Sequence, residues 1–198
     1  MSNRFSQNEE AYDLGAFHFR KAVLYWSKRE HRGYSMARII AICGKICSGK
    51  SVYARRLAET EPAVILSCDE VTSALFDNDL GEAHDGMSVR IQRYLLGKAE
   101  ELVRAGCTAI LDWGFWRAAE RKALSARCRT LGIPCQWHYI DVSDADWRLN
   151  IAERNRRVAR GEGGSDYYLD DGLMEKLLSL WEPPAPEEID VWYTLRRS

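Results

Sequence analysis

The sequence predicts an α/β fold, a parallel sheet with helices on both faces. Three observations carry this expectation. Short apolar runs alternate with segments of helical spacing, the pattern of strands joined by crossover helices. Gly44-Lys45-Ile46-Cys47-Ser48-Gly49-Lys50-Ser51 fits G-x-x-x-x-G-K-[ST] and joins one such strand to the helix behind it. Two later strands run out near Asp69 and Asp112, which puts loop and carboxylates at the strand ends where open α/β sheets hold ligands.

The elements follow in order. Ile39 to Cys43 is wholly apolar and reads as a buried strand, and Val52 to Thr60 as a helix with Leu57 and Ala58 facing inward. Ala63 to Ser67 is a second strand ending at Cys68-Asp69-Glu70, with a short helix over Val71 to Phe76. Asn78 to Gly86 is polar and turn-rich. Ile91, Tyr94, Leu95, Ala99, Leu102 and Val103 have helical spacing within Met87 to Ala105, and Gly106 is a stop. Thr108 to Leu111 is a third strand ending at Asp112, and Arg117 to Leu131 a helix closed by Gly132 and Pro134. Cys135 to Ile140 is a fourth strand, and Ser143 is a good N-cap for a helix over Asp144 to Arg160. Gly161 to Ser165 is glycine-rich; Leu169 to Trp181 is a helix stopped by Pro183, Pro184 and Pro186; Ile189 to Thr194 is the last strand. Ahead of all this, Leu14, Phe17, Ala22, Leu24, Tyr25 and Trp26 predict an amphipathic helical extension within residues 1–34, packed on the domain edge or serving a partner. Residues 35–198 then form the domain, with a lid around 148–168.

The glycine loop carries the most specific chemistry. Its four fixed positions coincide by chance in about one chain of this size in a hundred, and a strand before and a helix after make chance far rarer. Gly44 and Gly49 permit the close approach that lets successive N–H groups of Lys45, Ile46, Cys47 and Ser48 encircle a phosphate. The following helix adds its positive N-terminal end. Lys50 supplies a point charge for β- and γ-phosphates, and the Ser51 hydroxyl is a Mg²⁺ ligand. The cofactors expected are therefore ATP and Mg²⁺.

Other residues fall in place around the loop. Asp69 either takes a proton from an attacking hydroxyl or caps the helix beginning near Glu70. Asp112, after Ala109-Ile110-Leu111, has the pattern of a metal-holding carboxylate. Arg148, Arg154, Arg156, Arg157 and Arg160 crowd one helix beside a glycine-rich segment. They form a solvated face, or a lid whose Arg154 and Arg157 close over phosphates and exclude water. Arg117 and Arg121 have helical spacing and either bind an anionic substrate group or pair with Glu120 at the surface. Trp113, Phe115 and Trp116 either stack on a flat substrate or plug the sheet end.

Composition narrows the class. With 28 Lys plus Arg against 29 Asp plus Glu, the net charge of −1 supplies no general basic field for bulk nucleic-acid binding. The six cysteines include no C-x-x-C pair and no Cys/His zinc spacing, and a thiol at Cys47 inside the loop suits a reducing compartment. No stretch resembles a signal peptide or a membrane span, so a soluble, cytoplasmic protein with no membrane partner is expected. No Asn-Lys-x-Asp guanine motif is present, which favours ATP. Nothing in the sequence specifies an oligomeric state.

The combination of the loop, Ser67-Cys68-Asp69-Glu70, Ile110-Leu111-Asp112-Trp113-Gly114-Phe115, Arg154-Asn155-Arg156-Arg157 and Trp181-Glu182-Pro183-Pro184 resembles the AAA-type predicted kinase ATP-binding proteins. That group is similar to the phosphoryl-transfer domains of polynucleotide kinase, zeta toxin and chloramphenicol phosphotransferase. The resemblance covers about residues 37–194 and implies a P-loop NTPase three-layer sandwich with sheet order 2-3-1-4-5. It also implies Asp69 as base, Arg154 or Arg157 as lid arginine, and Pro183 near the adenine. The function expected first is transfer of the γ-phosphate of ATP to a small-molecule hydroxyl. A polynucleotide 5′-hydroxyl kinase and a nucleotide-dependent switch acting on a protein partner are the alternatives.

Overall fold

The computed structural model describes residues 36–76, 81–163 and 166–195. The helical extension expected over residues 1–34 lies outside them. The elements are β1 (Ile39–Cys43), α1 (Lys50–Thr60), β2 (Ala63–Ser67), α2 (Cys68–Phe76), a 3₁₀ turn (Gly81–Ala83), α3 (His84–Arg104) and β3 (Thr108–Gly114). They continue with α4 (Ala118–Leu131), β4 (Cys135–Val142), α5 (Asp144–Ala159), α6 (Asp171–Ser179), a second 3₁₀ turn (Pro186–Glu188) and β5 (Val191–Leu195).

The strands form one parallel sheet in the order 2-3-1-4-5. β1 lies at its centre and every residue of it is buried. Its side chains alternate between two cores, as the period of a strand requires. Ile39, Ala41 and Cys43 pack with Ala99 of α3 and with Leu124 and Cys128 of α4. Ile40 and Ile42 pack with Ala54, Tyr53 and Leu57 of α1. Cover on both faces is why the central strands are apolar throughout rather than alternating. The architecture is the three-layer α/β sandwich that the sequence predicts.

The boundaries differ from expectation at the functional edge. β3 does not stop at Asp112. Ile42 pairs with Asp112 but Cys43 pairs with Gly114, so Trp113 is an extra residue bulged out of the ladder. The Gly44 N–H then reaches the Gly114 carbonyl at 3.3 Å and prolongs the pairing into the glycine loop. α2 begins at Cys68, directly off β2, because the Ser67 hydroxyl accepts the Glu70 N–H at 3.3 Å and starts the helix three residues early. α5 begins as its sequence dictates, with Ser143 Oγ accepting the Asp146 N–H at 3.1 Å. Among the described residues no helix is long and apolar enough to cross a membrane.

Candidate active site

The glycine loop leaves β1 at Gly44 and enters α1 at Lys50. A Cβ on Gly44 would stand 2.7 Å from Ser48 Oγ and 3.0 Å from the Ile140 carbonyl, so the loop closes only over glycine. Gly44→Ala is therefore expected to weaken phosphate affinity about tenfold or more in a calorimetric titration, as overpacking of a tight site does. Gly49 turns into α1 with φ 91°, ψ 17°, a left-handed geometry that suits glycine, and no side chain caps the helix. The first N–H groups of α1 are thus left for an anion.

Lys50 folds back over this loop. Its Nζ donates to the Gly44 carbonyl at 3.0 Å and to the Lys45 carbonyl at 2.7 Å. Burial lowers its pKa, while the carboxylates of Asp112 and Asp69 favour its charged form. Ser51, one residue on, is exposed.

The two carboxylates stand at adjacent strand ends. Asp112 lies opposite Ser67 in the β2–β3 register, and Asp69 follows Ser67 by two residues. Asp112 is 6% exposed, and among the described residues its carboxylate makes no hydrogen bond or ion pair. A buried carboxylate in that state is costly without a partner, and a hard divalent cation or its bound water is the kind of group that supplies one. Asp112 and the Ser51 hydroxyl both offer oxygen donors, the type that a hard divalent cation takes. Asp69 opens to solvent, yet protein crowds its carboxyl. Burial raises its pKa first and the Asp112 charge second, with Lys50 and Arg154 pulling the other way. Since Ser67 caps α2, the Asp69 carboxylate carries no capping duty.

The arginines expected in a lid, Arg154 and Arg157, lie on α5. Arg154 Nε donates to the Tyr167 carbonyl at 3.1 Å, its guanidinium lies 4.4 Å from the centre of the Tyr167 ring, and it pairs with Asp166 at 3.6 Å. It also approaches the Cys47 thiol of the glycine loop at 3.8 Å. Arg157 pairs with the same Asp166. Asn155 pins the returning chain, exchanging two 2.8 Å hydrogen bonds with the backbone of Leu169. Arg156 pairs with Glu153 at the surface, away from this cluster. Asp166 sits in no sequence motif, and Asn155, though within Arg154-Asn155-Arg156-Arg157, shows its role only through a partner fourteen residues away.

Beyond β3 the expectations need correction. Arg121 is not a surface anion ligand. It is 2% exposed, and its guanidinium is spent on Glu188 at 2.6 Å and on the carbonyls of Phe115 at 3.1 Å, Glu182 at 3.0 Å and Pro183 at 3.5 Å. The physical reason is helical period: Arg121 shares the inward stripe of α4 with Leu124 and Cys128. Arg117 is exposed, with its backbone N–H on Glu120 Oε2 at 3.3 Å. Glu182 caps α4 from afar by accepting the Ala118 N–H at 2.8 Å, and its own N–H bonds the Trp116 carbonyl at 2.9 Å. Pro183 is exposed on the segment that these bonds hold. Phe115 is buried against Trp137, and Trp113 packs on Phe115 at 5.2 Å between ring centres. These two rings close the sheet end, and half-buried Trp113 keeps part of its surface toward solvent.

The model of the AAA domain family matches residues 39–170. This chain is a member of that family. A curated relative, the Protein KTI12 homolog of Arabidopsis thaliana, is 32% identical over 152 residues, covering 74% of this chain and 47% of that protein. The chain thus spans about half the length of that relative. Among solved structures, the APS kinase CysC of Mycobacterium tuberculosis in complex with AMPPNP and APS aligns with a TM-score of 0.56 and 19% identity over 83% of this chain and 92% of that one. A sugar kinase from Janibacter sp. HTCC2649 aligns with a TM-score of 0.56 and 16% identity, over 82% and 87% of the two chains. Kti12 of Chaetomium thermophilum in complex with ADP-AlF3 aligns with a TM-score of 0.54 and 18% identity, over 79% and 88%. Family and fold neighbours agree with the P-loop kinase group that the sequence resembles, and the chain has a P-loop NTPase, kinase-like fold.

Proposed function

We propose that this AAA domain protein is an ATP-dependent phosphotransferase that moves the γ-phosphate of ATP to a hydroxyl of a small molecule. The observation that carries the reading is Asp69: a carboxylate free of capping duty, beside Lys50, Asp112 and Arg154, at the strand end next to the glycine loop. The loop N–H groups and the open N-terminus of α1 receive the β- and γ-phosphates, and Lys50 leaves its two loop carbonyls to pair with them. Ser51 and Asp112 would hold Mg²⁺, whose chemistry is to neutralise charge on the phosphates. Asp69 accepts the proton of the acceptor hydroxyl as its oxygen attacks phosphorus in line with the departing ADP. Arg154 and Arg157 exchange Asp166 for the charge that spreads over the transferring group. Pro183 borders the adenine, and Arg121 fixes that border from behind by its bonds to the carbonyls of Glu182 and Pro183.

A second reading has water in place of the alcohol, so that the cycle is ATP hydrolysis coupled to a protein partner. It is favoured by the likeness to the KTI12 homolog, a relative whose name specifies no phosphoryl acceptor.

The raised pKa of Asp69 sets a pH prediction. A base must be deprotonated to act, so transfer falls as pH drops through the Asp69 pKa. Because burial is the largest cause and raises that pKa, the acid limb of the rate profile lies above the ordinary carboxylate value of about 3.9. Arg154 works against the shift, so Arg154→Gln moves the limb to still higher pH. A limb that does not respond to Arg154 would assign the titration to another group.

The test of function is ADP release with Mg²⁺ over pools of hydroxylated metabolites, nucleosides and 5′-hydroxyl oligonucleotides, for wild type, Lys50→Ala and Asp69→Asn. Stimulation by one pool, lost in both variants, establishes a kinase and its acceptor class. Equal release with every pool and with none points to hydrolysis.

A further inference from the structure

We propose that Trp147 and Asn150 are positioning residues of the phosphate loop, and that through them the loop and the lid helix α5 move as one body. This rests on the reading of residues 44–51 as a nucleotide phosphate site.

One stripe of α5 meets the glycine loop. Asp144, Trp147, Asn150 and Arg154 recur at three- and four-residue spacing, so they share a helix face. Each touches the loop, and they do so in chain order. Asp144 pairs with Lys45 at 3.3 Å. Trp147 Nε1 donates to the Ile46 carbonyl at 2.7 Å, with Lys45 Nζ 5.1 Å from the centre of its ring. Asn150 Nδ2 donates to the Cys47 carbonyl at 3.0 Å, and Arg154 reaches the Cys47 thiol. α5 has no fully buried residue. On this stripe its contacts with the loop are hydrogen bonds and charge pairs.

The backbone of the loop shows what this grip achieves. In a trans peptide the carbonyl and the next N–H point in opposite directions. Holding the Ile46 carbonyl outward on Trp147 turns the Cys47 N–H inward, toward the phosphate side. Holding the Cys47 carbonyl outward on Asn150 turns the Ser48 N–H back into the loop, where it meets the Lys45 carbonyl at 3.2 Å. Between the two grips Cys47 has φ +56°, a left-handed conformation that residues bearing a Cβ rarely adopt and that persists where the surroundings fix it. Side-chain donors on two successive carbonyls are such surroundings. The same helix places Arg154 one turn further on, so the lid arginine is set at a fixed offset from the phosphates.

Trp147→Phe keeps a ring beside Lys45 and removes only the donor, and Asn150→Leu keeps the bulk and removes the amide. Each is expected to raise the Kd of Mg·ADP about tenfold, the effect of losing one well-made hydrogen bond from a tuned site. The melting temperature without ligand should stay within about 3 °C of wild type, since a partly exposed bond contributes little to global stability. The double variant should lose less than the product of the two single effects, because both act on one loop conformation. Calorimetric Kd values and unliganded melting curves of the four proteins provide the readout. Variants that bind Mg·ADP like wild type, or whose weaker binding merely tracks a large fall in melting temperature, would overturn the proposal alone. Wild type that binds no Mg·ADP at all would overturn the phosphate-site reading and this inference together.

Discussion

Asp69→Asn is expected to cut phosphoryl transfer about 10²–10⁴-fold, the range that a positioned general base contributes. The variant keeps the size and hydrogen-bonding reach of the side chain and removes the ability to take a proton. Ser67, not Asp69, caps α2, so the helix that follows should not unravel. Lys50 and Ser51 are untouched, so Mg·ADP affinity should remain near wild type. Loss of kcat and kcat/KM together, with Kd preserved, is the signature of an interaction made in the transition state. If Asp69→Asn instead weakened ADP in proportion to rate, Asp69 would be a cation or phosphate-site residue and not the base. Its raised pKa separates the same two cases, because a base leaves an acid limb in the rate profile that the variant erases.

Arg121→Met is the change expected to harm stability most. The guanidinium is 2% exposed and joins Glu188 to the carbonyls of Phe115, Glu182 and Pro183. Methionine fills part of the volume and satisfies none of these acceptors. Breaking a buried pair from one side costs about 3–5 kcal/mol, since the remaining carboxylate is left without its partner. For a chain of this size that corresponds to a fall in melting temperature of about 10 °C. Adding Glu188→Gln to Arg121→Met should recover part of the loss, because the stranded charge is removed. Arg121→Lys should fare better than methionine and worse than wild type, since one ammonium cannot reproduce a planar fork aimed at several acceptors. If the three variants melted like wild type, the cluster would be passive.

Much of this was legible in the sequence. β1 and β2 have the bounds that their apolar runs dictate, and Ser143 starts α5 as an N-cap should. The glycine loop lies where its motif demands, between β1 and α1. What the sequence hid has two physical causes. The first is that a polar residue on an inward stripe resembles one on an outward stripe unless its helical phase is followed. Arg121 precedes Leu124 and Cys128 by three and seven residues, the spacing of a buried face, and its charge drew attention to the surface instead. The second is that distant partners leave no local pattern. Glu182 capping α4, Asp166 holding both Arg154 and Arg157, and Asn150 on the Cys47 carbonyl are pairs that only the fold assembles. The bulge at Trp113 belongs to the same class, because register is a property of two strands and not of one.

The most direct measurement is the fate of labelled γ-phosphate from ATP, incubated with Mg²⁺ and acceptor pools and followed by separation of the products. The account predicts that the label appears as a phosphate ester of a hydroxyl compound with wild type, and that Lys50→Ala and Asp69→Asn abolish it. Label recovered solely as inorganic phosphate, at a rate that no acceptor changes and that Asp69→Asn leaves intact, would contradict it.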